Sequence, residues 1–101
     1  MTLAGMCRAL SENPAKLYGL FPRKGAIAAG SDADIVVYAP KANHTLRGAE
    51  LASKAGCTPF EGFETSGSIR SVYLRGTLAV DHGEVVGAQD GQYLAREKCM
   101  L

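Results

Sequence analysis

The sequence predicts an α+β fold, with helices first and short antiparallel strands after them. Three observations lead there. Residues 2–11 place Leu3, Met6, Cys7 and Leu10 at i, i+3, i+4, i+7, the apolar stripe of an amphipathic helix. Ile35, Val36, Val37 and Tyr38 form a β-branched and aromatic run, as a strand prefers. Residues 69–87 alternate short apolar runs with the turn signals Arg75-Gly76 and Asp81-His82-Gly83, the pattern of a β-meander.

The first helix is expected to stop at Asn13-Pro14 and restart there. Asn is a good N-cap and Pro is favoured at the first helical position. A short helix over 14–18 then ends at Gly19, a left-handed C-cap. Leu17, Leu20 and Phe21 are expected to seal this corner against a larger body, and Pro22 forbids further helix. Gly25 and Gly30 frame a turn that carries Asp32 and Asp34 to a strand over 34–38, which Pro40 ends. His44-Thr45-Leu46 reads as a brief edge strand, and 50–58 as a short helix or a loop. Phe60 and Phe63 flank Gly62 in an ordered loop that packs its rings onto something. The clearest strand is 69–74, followed by 77–80 and an antiparallel continuation over 84–87. In the tail, Tyr93 and Leu94 are the expected anchors.

A chain of 101 residues is one domain at most. Eleven basic residues against ten acidic ones leave a net charge of +1, and the arginines Arg8, Arg23, Arg70, Arg75 and Arg96 are scattered, so nucleic acid is not an expected partner. No apolar run approaches the ~18 residues of a membrane span, and the N-terminus lacks the basic start and long apolar stretch of a signal peptide. Cys7, Cys57 and Cys99 are odd in number and widely spaced, with no CxxC pair, which points to reduced thiols in the cytoplasm.

Taken in order, SENPAKLYGLFPRKGAIAAGSDADIVVY, TPFEGFE, SIRSVYLRGTLAVDHGEVVG and DGQYLAR resemble the C-terminal end of the cyclic amidohydrolases. Within them the chain is similar to the hydantoinase and dihydropyrimidinase group, with allantoinase nearby; the GQYL tail favours hydantoinase. The resemblance runs from about residue 9 to residue 96 and rests on the order and spacing of its pieces. It implies a (β/α)8 barrel with a small β-sandwich built from both ends of a longer chain. Residues 1–24 would then be terminal helices of the barrel, and 25–101 the C-terminal part of the sandwich plus its tail. The rest of the barrel and the N-terminal strands, or a complementing chain, would be the partner, with a homo-oligomer possible and no membrane involved.

The resemblance also implies hydrolysis of a cyclic amide by water activated at a two-metal centre, usually zinc, at the strand ends of the barrel. The family's ligands are an HxH pair, a carboxylated lysine, two further histidines and an aspartate. None maps onto a position of this sequence. The expected set of catalytic, cofactor-binding and metal-binding residues is therefore empty, and the chain is expected to be inactive alone. His44 and His82 have no second ligand at metal-binding spacing and read as turn residues. Asp32 and Asp34 are favoured as turn caps at a strand entry, since the family uses this DAD in its β-domain. Lys16 and Lys24 are favoured as solvated or snorkelling side chains. Cys57 has no base nearby in sequence to make it a nucleophile. Tyr93 and Leu94 would sit at a subunit contact or pack on the same chain. The competing reading is a free-standing structural or oligomerisation module, because a meander offers open edges that soluble proteins normally cover. An independent small enzyme built on Asp32 or Asp34 ranks below both.

Overall fold

The computed structural model describes residues 1–87 and 90–101. The fold is α+β, as the periodicities require: one helical segment, then a four-stranded antiparallel sheet and a separate two-stranded ribbon.

The helical segment comprises α1 (Leu3–Cys7), a π-helical turn over Arg8–Glu12 and α2 (Asn13–Leu17). Thr2 caps it, its hydroxyl accepting the Gly5 N–H at 3.1 Å. Asn13-Pro14 does not break the helix, contrary to its sequence signal. Asn13 keeps helical dihedrals (φ −64°, ψ −44°) and donates its N–H to the Arg8 carbonyl, five residues back. The widened turn relieves the clash that a proline ring would otherwise make with the preceding turn, and Pro14 has no N–H to leave unpaired. The helix ends where expected, with Gly19 left-handed at φ 66°. Leu20 and Phe21 both donate to the Ala15 carbonyl, at 2.8 and 3.1 Å.

The main sheet has the order β1 (Ile35–Ala39), β4 (Ser68–Leu74), β5 (Thr77–Asp81), β6 (Glu84–Val85). β1 starts one residue later than the sequence suggests, because Asp34 is used elsewhere. β6 stops at Val85, and Val86 and Gly87 instead both donate to the Ala79 carbonyl, at 2.9 and 3.2 Å. The β4–β5 and β5–β6 connections are two-residue turns, and all four of their central residues have positive φ: Arg75 46°, Gly76 82°, His82 47° and Gly83 86°. That is the type I′ hairpin, whose twist matches that of the strands it joins. β2 (His44–Thr45) pairs with β3 (Glu64–Thr65), so the expected edge strand exists, with Leu46 continuing the pairing by donating to Phe63 at 2.8 Å. The 50–58 segment is turns and bends, save that Glu50 closes a 3₁₀ turn over Gly48–Glu50.

Register aligns Val36, Val72, Val80 and Val85 across all four strands, a valine row on one face. Val37, Ser71, Asp81 and Glu84 form the neighbouring row on the other face, where Ser71 donates to Asp81 at 3.3 Å. Both faces are open toward the sheet edges, while Ser71 is buried and Val72 and Val80 are half-buried at the sheet's centre. Val36 is 57% and Val85 68% exposed, and Ala15 is the only hydrophobic residue described as buried. The accessible surface is 8004 Å², about 2,500 Å² more than a compact monomer of this mass shows by the usual scaling. The radius of gyration of 15.4 Å exceeds the roughly 13 Å of a compact 100-residue domain. The helices pack on one another and the strands on one another, but among the described residues no helix packs on a strand more than marginally.

His82 is 72% exposed and occupies a position that asparagine fills with less strain. His82→Asn is expected to stabilise the chain by about 0.5–1 kcal/mol, and His82→Val to destabilise it by about 1–2 kcal/mol. Urea midpoints at a pH where histidine is neutral check both; equal midpoints would contradict the turn assignment.

Candidate functional site

The densest cluster of charged side chains is a knot where three segments meet. Lys24, just past the helical corner, places its Nζ 3.0 Å from Asp32 Oδ2 and bonds Asp34 Oδ2 as well. Arg23 Nε donates to the same Asp32 oxygen at 3.0 Å. The other Asp34 oxygen accepts the backbone N–H of Arg75 at 2.9 Å, in the β4–β5 turn. Backbone bonds run alongside: Asp32 N–H to the Arg23 carbonyl at 2.9 Å, and Gly76 N–H to the Ala33 carbonyl at 3.0 Å. Ser31 Oγ donates to the Pro22 carbonyl at 2.7 Å.

Lys24 is therefore a bridging cation, and the solvated role its sequence suggested is corrected. Partial burial by itself lowers its proton affinity, but the bonds to Asp34 and Asp32 and their charges prevail, raising its pKa above the ordinary lysine value. Bonds from Lys24 and then Arg23 draw Asp32 below the usual carboxylate value. Burial works to raise Asp34; the Lys24 bond, the Arg75 N–H and the Lys24 charge outweigh it, so Asp34 also ends lowered. Asp32 Oδ2 and both Asp34 oxygens each accept from a donor of this cluster. The arrangement suits holding three segments together.

The carboxylates do not cap local backbone as expected: Asp32 bonds the side chains of Arg23 and Lys24, and Asp34 caps a turn 41 residues away, which local turn chemistry does not foretell. Lys16 forms an i,i+4 pair with Glu12 at 2.6 Å and lies 4.9 Å from the centre of the Phe21 ring. His44 reaches Glu50 at 4.0 Å, and His82 reaches its neighbour Asp81 at 3.0 Å. Cys7, Cys57 and Cys99 are exposed and unpaired. Among the described residues no three His, Cys, Asp or Glu side chains gather where a metal ion would need them. Phe60 and Phe63 pack edge to face, 5.7 Å between centroids, and remain 54% and 60% exposed, so the surface their rings were expected to meet is not among the described residues. Tyr93 is 92% exposed and does not anchor the tail; Leu94 is half-buried. No helix among the described residues is long and apolar enough to cross a membrane.

Residues 1–79 match the model of the amidohydrolase family. The chain belongs to that family. A D-hydantoinase of Rhizobium radiobacter is 37% identical over 99 residues, which cover 97% of this chain and 22% of the relative. A dihydroorotase of Methanothermobacter thermautotrophicus is 40% identical over 97 residues, 96% of this chain and 22% of the relative. Among solved structures, one of D-hydantoinase superposes with a TM-score of 0.91 at 36% identity, covering all of this chain and 22% of its own. A dihydropyrimidinase from Brevibacillus agri superposes with a TM-score of 0.82 at 38% identity, over 86% of this chain and 19% of its own. This amidohydrolase chain is thus a hydantoinase-group segment, and it spans about a fifth of the length of the curated relatives it matches.

The electrostatics of the knot set a pH dependence. Folded-state lowering of Asp32 and Asp34 means that their stabilisation is complete above the ordinary aspartate value and is lost as pH falls through the lowered folded-state values. Raising of Lys24 works at the other end, with stabilisation present below the ordinary lysine value and lost as pH climbs through the raised one. Asp34→Asn is expected to lower the urea midpoint at neutral pH and to flatten its decline between about pH 5 and pH 2. A decline as steep as that of the unsubstituted chain would show that Asp34 is not the group responsible.

Proposed function

We propose that this chain is the C-terminal portion of a metal-dependent hydrolase of cyclic amides, one that opens hydantoin or dihydropyrimidine rings. The observation that carries the reading is the pairing of near-complete identity coverage with a body that does not close. Some 97% of the chain aligns with a D-hydantoinase at 37% identity, while Val36 and Val85 at the ends of the valine row, Phe60 and Phe63 lie exposed. The excess surface is of the size that obligate interfaces bury. Residues 1–24 are read as the end of the barrel, and 25–101 as the C-terminal share of the sandwich with its tail. The catalytic metals, zinc by family habit, belong to residues outside this stretch, since no described group here has the ligands. A dihydroorotase among the relatives leaves the ring to be fixed by loops of the barrel; an allantoin-like ring is the variant within the family. The cytoplasm is the proposed setting, consistent with three unpaired cysteines.

Ring opening is the direct test. The purified 101-residue chain with added zinc should show no hydrolysis of hydantoin or dihydrouracil. Turnover would overturn the proposal.

A second reading is favoured by the open sheet edges and the exposed ends of the valine row. The segment associates with a complementing chain or with its own copies, Tyr93 lying at the contact. Light scattering coupled to gel filtration should then find self-association that grows with concentration. A monomer with sharp, dispersed amide signals would count against this reading.

A further inference from the structure

We propose that residues 90–101 form a releasable strap that fastens the helical corner to the sheet, with Gly19 as the residue that lets it close. The strap is tied at two places. Near its start, Arg75 in the β4–β5 turn donates from its guanidinium to the Asp90 carbonyl and, at 3.3 Å, to its carboxylate. Near its end, Glu97 donates its N–H to the Gly19 carbonyl at 2.9 Å, and Met100 to the Lys16 carbonyl at 3.0 Å. The Lys16 carbonyl also accepts the Gly19 N–H at 3.2 Å, so the tail adds a second donor there and the Glu97 N–H supplies one to Gly19 just past the helix.

Gly19 meets two independent demands. Its φ of 66° is left-handed, and a Cβ there would stand 2.1 Å from the Glu97 carbonyl oxygen. Any side chain at position 19 pushes the strap off. The fastening matters because among the described residues no helix packs on a strand more than marginally, so few contacts join the two layers. It is releasable because little apolar surface holds it: Tyr93 is 92%, Met100 56% and Leu101 72% exposed. Segments held by a few exposed backbone bonds open well below the free energy of global unfolding.

Amide hydrogen exchange on the full chain tests this. In the unsubstituted chain the Glu97 and Met100 amides should be protected, less than the His82 amide, which bonds the Arg70 carbonyl at 2.7 Å inside the meander. Gly19→Ala should speed exchange at Glu97 and Met100 by about tenfold or more while sparing His82. Met100→Pro removes the strap donor to the Lys16 carbonyl while leaving Gly19 unsubstituted, and should speed exchange at Glu97 in the same way. Should Gly19→Ala strip protection from the meander as well, Met100→Pro decides. Unprotected Glu97 and Met100 amides in the unsubstituted chain, or Glu97 protection unmoved by Met100→Pro, would overturn the strap.

Discussion

Lys24 wedged between Asp32 and Asp34 is the interaction on which the rest of this segment depends. Its ammonium comes from the helical corner and its acceptors from the entry to β1. Asp34 then hands the connection on, through the Arg75 N–H, to the hairpin that carries the sheet's longest strand. Elsewhere the helical turns touch helical turns and the strands touch strands. An ion pair on a protein surface is worth little as a rule. This one differs in topology: one carboxylate joins segments 10 and 41 residues away in sequence. It substitutes geometry for the apolar core that the segment does not have by itself.

Arg75 is the hub of that geometry, and it works with two different parts. Its backbone N–H belongs to the knot, and its guanidinium belongs to the tail through Asp90. Arg75 has the left-handed φ of 46° that the type I′ turn requires, and its N–H bonds Asp34 from that turn. The hairpin turn is thereby more than a reversal of the chain; it is the point where the corner, the sheet and the tail are referred to one another.

Much of this fold was legible in the residues. The apolar stripe of 2–11, the Ile35–Tyr38 run and the two Gly-containing hairpin turns each assigned an element that the structure contains. Local chemistry settles such elements, because a two-residue turn or a glycine C-cap carries its own reason. The failures share the opposite cause. Pro14 was read as a break because the signal is local, whereas a π turn upstream makes room for it. The PRKG turn around Lys24 suggests a solvated or snorkelling side chain, whereas its partners lie eight and ten residues on. Arg23-Lys24 followed by the spaced pair Asp32 and Asp34 was the available hint, two cations facing two anions across one glycine-framed loop. No comparable hint marks Arg75 or the seating of the tail on Gly19, since both are backbone contacts between distant segments, and backbone amides look alike in every sequence.

The uncovered surfaces follow from the same division between local and distant. Strand propensity and turn chemistry shape the sheet, so it forms with its valine row in register whether or not anything lies against it. Burial is a property of what surrounds a strand. A row of half-exposed valines, an exposed edge-to-face phenylalanine pair and, among the described residues, a helix that meets strands only marginally are surfaces of the kind that mark interaction sites. A self-sufficient small domain would place such side chains against one another. Here charge and backbone hydrogen bonds hold the frame while the apolar side chains face outward, and that inversion is the physical reason to read the segment as part of a larger amidohydrolase body.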